Sequence, residues 1–134
     1  MDTDKLKDLI RVGRVSSVNP QNCTARVTFP DKDDMVSAEL PIITIGSKQT
    51  KAYWLPAIDT QVLCIFTPNP SGKGLNDGFI IGCFYSTTDM PVENNEKAVS
   101  IHFDDGSYIR FDNGNVEIHA SKSLKLTAPR IDLN

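Results

Sequence analysis

No stretch of this sequence approaches the roughly 20 consecutive apolar residues that a membrane-crossing helix requires. The opening residues Met1-Asp2-Thr3-Asp4-Lys5 are acidic and carry no apolar core, so no secretory signal is expected. The glycosylation sequon Asn22-Cys23-Thr24 is discounted for the same reason. Lysine and arginine nowhere gather into a stripe and the net charge is -3, which argues against a nucleic-acid partner. Cysteine is sparse and odd in number. Cys23, Cys64 and Cys83 each lie in an apolar, strand-like run, which reads as small core hydrophobes, with a disulfide or a metal site as the alternative.

Catalytic patterns are missing too. His102 and His119 are the only histidines; both fall on the polar parity of their strands, without a partner at metal-ligand spacing. Gly72-Lys73-Gly74 has neither the hydroxyl residue nor the following helix of a phosphate loop. The Asp31, Asp33 and Asp34 run and Asp104-Asp105-Gly106 lack a full calcium loop and read as solvated turns. No Ser-His-Asp or Cys-His arrangement is present, so no enzyme, cofactor or metal is expected. Trp54 is the single tryptophan, and packing is its plainer role, with stacking of a base or sugar as the alternative.

What the sequence does have is apolar alternation. Residues 3–10 suit a short helix or arm, with Thr3 as cap and Leu6, Leu9 and Ile10 on one side. From there the period is two. Val12, Val15 and Val18 precede a turn at Asn19-Pro20-Gln21-Asn22, and Ala25, Val27 and Phe29 alternate with Thr24, Arg26 and Thr28. A further strand is expected from about Val36 to Ile43. The runs Val62 to Phe66 and Gly78 to Tyr85 are nearly continuous and predict strands buried on both faces. The loop from Thr67 to Asp77 separates them. Short strands divided by turns predict an all-β barrel or sandwich over residues 11–86. The polar, proline-containing stretch 87–98 reads as a linker.

Residues 99–134 carry a different message. Val99, Ile101 and Phe103 alternate with polar residues, as do Ile109 and Phe111, Val116 and Ile118, Leu124 and Leu126, and Ile131 and Leu133. Asp105-Gly106 and Asn113-Gly114 supply tight turns, and five short strands are expected. A narrow sheet with one apolar face must bury that face against a second layer. The rest of the chain offers no helix or sheet of matching length. Either the same segment from other copies covers these eleven side chains, as the core of a trimer, or the meander packs on the chain's own barrel.

The run Ala25-Arg26-Val27-Thr28-Phe29-Pro30-Asp31 resembles the opening hairpin of the phage baseplate assembly protein V family, the central spikes of contractile tails, to which type VI secretion spikes are related. Tyr53-Trp54-Leu55-Pro56, Gln61 to Phe66 and Asp77 to Tyr85 are similar to the remainder of that family's barrel, and Asp105 to Asp112 to its entry into a β-prism. The resemblance implies an oligonucleotide/oligosaccharide-binding (OB) barrel followed by an intertwined trimeric β-helix or prism. It further implies a structural role in the virion or a phage-tail-like particle, after assembly in the bacterial cytoplasm. The implied partners are two further copies, baseplate hub and tail tube proteins, the target cell envelope and a separate tip-capping protein. Two departures stand out. Ala57-Ile58-Asp59-Thr60 occupies a stretch where the family carries a glycine, and no His-x-His pair is present, so a short, metal-free tip is expected. The runner-up reading is a monomeric OB module binding nucleic acid or carbohydrate.

Overall fold

The computed structural model describes residues 8–67 and 77–134. The protein is nearly all-β, with two antiparallel sheets. It divides into two compact units, Met1–Asp89 and Met90–Asn134, the cut falling inside the polar linker stretch. Of the expected N-terminal helix, residues 1–7 lie outside the described residues. Asp8 and Leu9 are helical, and Ile10 already belongs to a strand. The loop expected between Thr67 and Asp77 likewise lies mostly outside them.

The first unit comprises β1 (Ile10–Asn19), β2 (Thr24–Phe29), β3 (Met35–Val36), β4 (Leu40–Pro41), β5 (Gln61–Phe66) and β6 (Gly78–Cys83). The sheet runs β3-β2-β1-β5-β6, with β4 also on β2. Its two ends then meet. Ile42, just past β4, bridges Ile80 of β6 in parallel, and the Ile43 N–H donates to the Ile80 carbonyl at 2.9 Å. The β1–β2 turn forms because the Asn19 side-chain oxygen accepts from the Gln21 N–H at 3.1 Å, an Asx turn.

The expected single strand over Val36 to Ile43 is two short ones. Buried Ser37 separates them: its hydroxyl accepts the Val27 N–H at 3.0 Å and donates to the Ala38 carbonyl at 2.7 Å. A side chain thus stands in for a ladder rung, and no buried polar atom is orphaned there.

Alternate positions point inward. Val15, Ala25, Val27, Phe29, Leu40, Ile42, Val62, Cys64, Phe66 and Ile80 form one buried cluster, with Trp54 and Leu55 packed against it. Fully burying each large side chain contributes about 1.5–3 kcal/mol. Gly13 sits where β1 crosses β2, and a Cβ there would meet Val27 Cγ1 at 2.5 Å and the Thr28 carbonyl at 2.6 Å. One end of the core is closed by a charged residue. Arg11, only 8% exposed, lies 5.6 and 5.5 Å over the rings of Phe29 and Phe66 and reaches Asp8 at 3.0 Å.

Two expectations for this unit are corrected. Strands β5 and β6 are buried on one face only, because the curled sheet has just one inside; Ile65, Phe79 and Ile81 point outward and remain exposed. Of the cysteines, Cys64 is buried in the core, Cys23 packs against it and Cys83 does not. Cys23 is half-buried in the β1–β2 turn at φ 55°, and Cys83 is exposed at the end of β6.

The second unit contains β7 (Ala98–His102), β8 (Tyr108–Asp112) and β9 (Asn115–His119), paired in that order. Gly106 turns the chain at φ 93°, and Asn113-Gly114 at φ 49° and 87°, the left-handed pair a two-residue hairpin demands. The strands expected around Leu124–Leu126 and Ile131–Leu133 are not formed. Residues 120–134 carry no strand, since nothing within one chain supplies their N–H and C=O groups with a neighbour.

Candidate functional site

Strand register decides what the second sheet presents. Val99 stands opposite Phe111 and Phe111 opposite Val116; Ile101 stands opposite Ile109 and Ile109 opposite Ile118. Partners across a ladder share a face. Six apolar side chains therefore form two complete rows across three strands, with no polar residue among them. Their exposure runs from 39% to 68%. Phe103 continues the parity of β7, and Leu124, Leu126, Ile131 and Leu133 follow along the extended tail; all five are exposed. Burying the two rows alone would be worth on the order of 10 kcal/mol before the cost of association.

The opposite face is finished. His102, Tyr108 and His119 stack in register with 5.2 Å between successive rings. The Tyr108 hydroxyl donates to Glu117. Arg110 donates to Glu93 at 2.6 Å and lies 3.2 Å from Asp112, while the Asn95 amide donates to Asp112 at 3.4 Å. The segment preceding β7 thus supplies Glu93 and Asn95 to the polar face. The Arg110 hydrogen bond holds the Glu93 carboxyl below its ordinary value, and the same contact raises Arg110. The hydrogen bond to Glu117 raises Tyr108. The tail is anchored where it leaves β9, its Ser121 N–H donating to the Ser107 hydroxyl at 3.1 Å.

Both histidines are accounted for by stacking, and among the described residues no group of three His, Cys, Asp or Glu could hold a metal ion. The Asp105 carboxylate accepts the Ser107 N–H at 2.9 Å, which lowers its pKa and shapes a turn. Gly72-Lys73-Gly74 lies outside the described residues. Trp54 donates its indole N–H to the Ile43 carbonyl at 3.1 Å and, partly buried, packs against the core. Among the described residues no helix is long and apolar enough to cross a membrane.

Sequence reasoning missed one feature. On the outer face of the first unit, Ile10 pairs with Ile65 and Ile65 with Phe79, Val12 pairs with Leu63, and Ile81 sits at the β5–β6 bulge. The signal was present. Val62 to Phe66 and Gly78 to Tyr85 are apolar at both parities, which a one-sided sheet does not need.

No family model matches the chain, and no curated protein matches it.

Proposed function

We propose that this chain is a structural, non-enzymatic spike that works as a homotrimer at the tip of a contractile phage tail or a phage-tail-like particle. One observation carries the reading: six apolar side chains in two rows of three, complete across β7, β8 and β9, stand exposed while the reverse face carries the stacked rings and ion pairs. A sheet that is apolar on one face is stable when a second layer covers that face. Three copies about a threefold axis place Val99, Ile101, Ile109, Phe111, Val116 and Ile118 inside. The stacked histidines and the Glu93–Arg110 pair stay outside.

The tail completes the assembly. In an intertwined prism, residues 120–134 add to the ladder of a neighbouring copy, so Leu124, Leu126, Ile131 and Leu133 join the core and the free edges disappear. The first unit is a five-strand barrel of the OB type. Its supports are the meeting of the sheet ends at Ile42 and Ile80 and the order β1, β2, β4, β6, β5 around the ring. The ordered resemblance of four segments to baseplate assembly protein V supplies the setting: barrels on the hub and tail tube, the prism towards the cell envelope. Sheath contraction then drives the spike mechanically, and no chemistry is asked of it.

Light scattering of the full chain tests the trimer; three times the 14.8 kDa chain mass is expected, and a stable monomer would sink the reading. A monomer is what the OB-module alternative requires. Immunogold labelling of purified contractile particles tests the setting: label at the tail tip is expected, and label confined to sheath or head would sink it.

A further inference from the structure

The outer face of β1, β5 and β6 is a second apolar surface, distinct from the one on β7 to β9. Ile10, Val12, Ile65, Phe79 and Ile81 are between 38% and 59% exposed, and half-buried Leu63 lies among them. Together they expose roughly 400 Å², the size of the largest apolar patch on a typical monomer, which is often an interaction site. None of the six is charged or polar, and the patch ends where Arg14 and Gln61 pair across β1 and β5 on the same parity.

We infer that this face packs against the same face of other copies around the threefold axis, an inference that rests on the trimeric reading above. The occupant follows from three considerations. A patch of this size is about half the 800 Å² per partner that free association needs, so it suits copies already held together. The C-terminal sheet holds them: residues 90–97 are all that separates the cut between the units from β7. So short a tether raises the local concentration of first units to the millimolar range. Identical surfaces also meet without like-charge repulsion only where charge is lacking, and these six positions lack it.

Symmetry then fixes the arrangement. In a threefold contact, different parts of one patch meet. β5 lies between β1 and β6, so Ile65 stands nearest the axis, and Val12 of one copy faces Phe79 and Ile81 of the next.

Disulfide trapping in the full-length chain tests this, with Cys83→Ser removing the exposed native thiol. A Val12→Cys/Phe79→Cys protein is expected to oxidise to covalent trimers on a denaturing gel, and each single variant to remain uncrosslinked. A bridge within one chain would span two strand spacings, about 10 Å, beyond disulfide reach. A native mass of three chains without covalent trimers would overturn the inference, leaving the face to a different protein or to solvent. A native mass of one chain would remove the trimer itself. Should the double variant fail to fold, Ile65→Thr decides: threonine keeps the β-branch, so a naked face tolerates it. The packed face predicts an unchanged trimer mass and a midpoint of Trp54 fluorescence unfolding lowered by several degrees. An unchanged midpoint would overturn the inference.

Discussion

Two sheets in one chain, written in the same alternating code, meet opposite fates. In the first unit the apolar parity of β1, β2, β5 and β6 faces inward on itself, because bulges at Val15/Ser17 and Leu63/Cys64 bend the strands until the sheet ends meet at Ile42 and Ile80. In the second, β7, β8 and β9 pair without a register shift, and five-residue strands give no length over which to curl. Its apolar face stays open. Alternation therefore states that a face must be buried but not by what; curvature and strand length decide between the chain itself and its copies. The core of the first unit should be intrinsic to one chain, whereas burial of the open face of the second should scale with protein concentration.

The largest expected effect comes from breaking the open sheet. Ile118→Asp places three carboxylates around the proposed axis, and burying like charges without partners costs several kcal/mol per copy. Sedimentation should show monomers, with the Trp54 signal still that of a folded first unit. Deleting residues 99–134 should give the same outcome. If either protein keeps the mass of a trimer, the second sheet is not what holds the copies together.

Next in size is damage to the closed core. Leu40 and Ile80 are fully buried, and Leu40→Ala or Ile80→Ala should cost about 2–5 kcal/mol in urea unfolding followed by Trp54 fluorescence. The comparison predicts that this loss is the same at every protein concentration. A concentration-dependent loss would mean that the first unit, too, depends on its neighbours for its core.

Arg11 tests a smaller contribution. Arg11→Met keeps apolar length over Phe29 and Phe66 while removing the charge and its bond to Asp8. Lost cation–π attraction predicts destabilisation of about 1–2 kcal/mol. A gain in stability would show that desolvating the guanidinium costs more than its ring contacts return.

Much of this was legible in the residues, and the failures share one cause. The two glycine turns, the buried parity of Ala25, Val27 and Phe29, and the six C-terminal row positions follow from period two and turn chemistry. Residues 124–133 alternate just as well yet form no strand, because a strand is a property of a pair and no described segment of the chain pairs with them. Val12 and Val15 are equally apolar, yet Val12 points outward while Val15 and Arg11 point in. The better guide there was Gly13, required by a crossing too close for a Cβ, which marks the inward parity of β1. The exposed β1–β5–β6 face was written as a doubly apolar run and mistaken for burial inside one molecule.

The smallest expected effect concerns acid, and it separates the units by their carboxylates. Glu93 is held below its ordinary value of 4.5 by the Arg110 hydrogen bond. A depressed folded value means stability that is present above the unfolded value and lost as pH falls through the folded one. The second unit should therefore weaken only below about pH 4.5, and modestly, since the pair is open to solvent. Glu93→Gln should flatten that acid limb while leaving the neutral-pH trimer nearly unchanged. In the first unit Asp8, lowered chiefly by the Lys32 hydrogen bond, makes the parallel case. Asp8→Asn should flatten the acid limb of Trp54 fluorescence and leave the dissociation of copies alone. If Glu93→Gln moves the Trp54 limb instead, the two sheets do not answer to separate charges, and the contrast between a self-closed sheet and an open one is drawn in the wrong place.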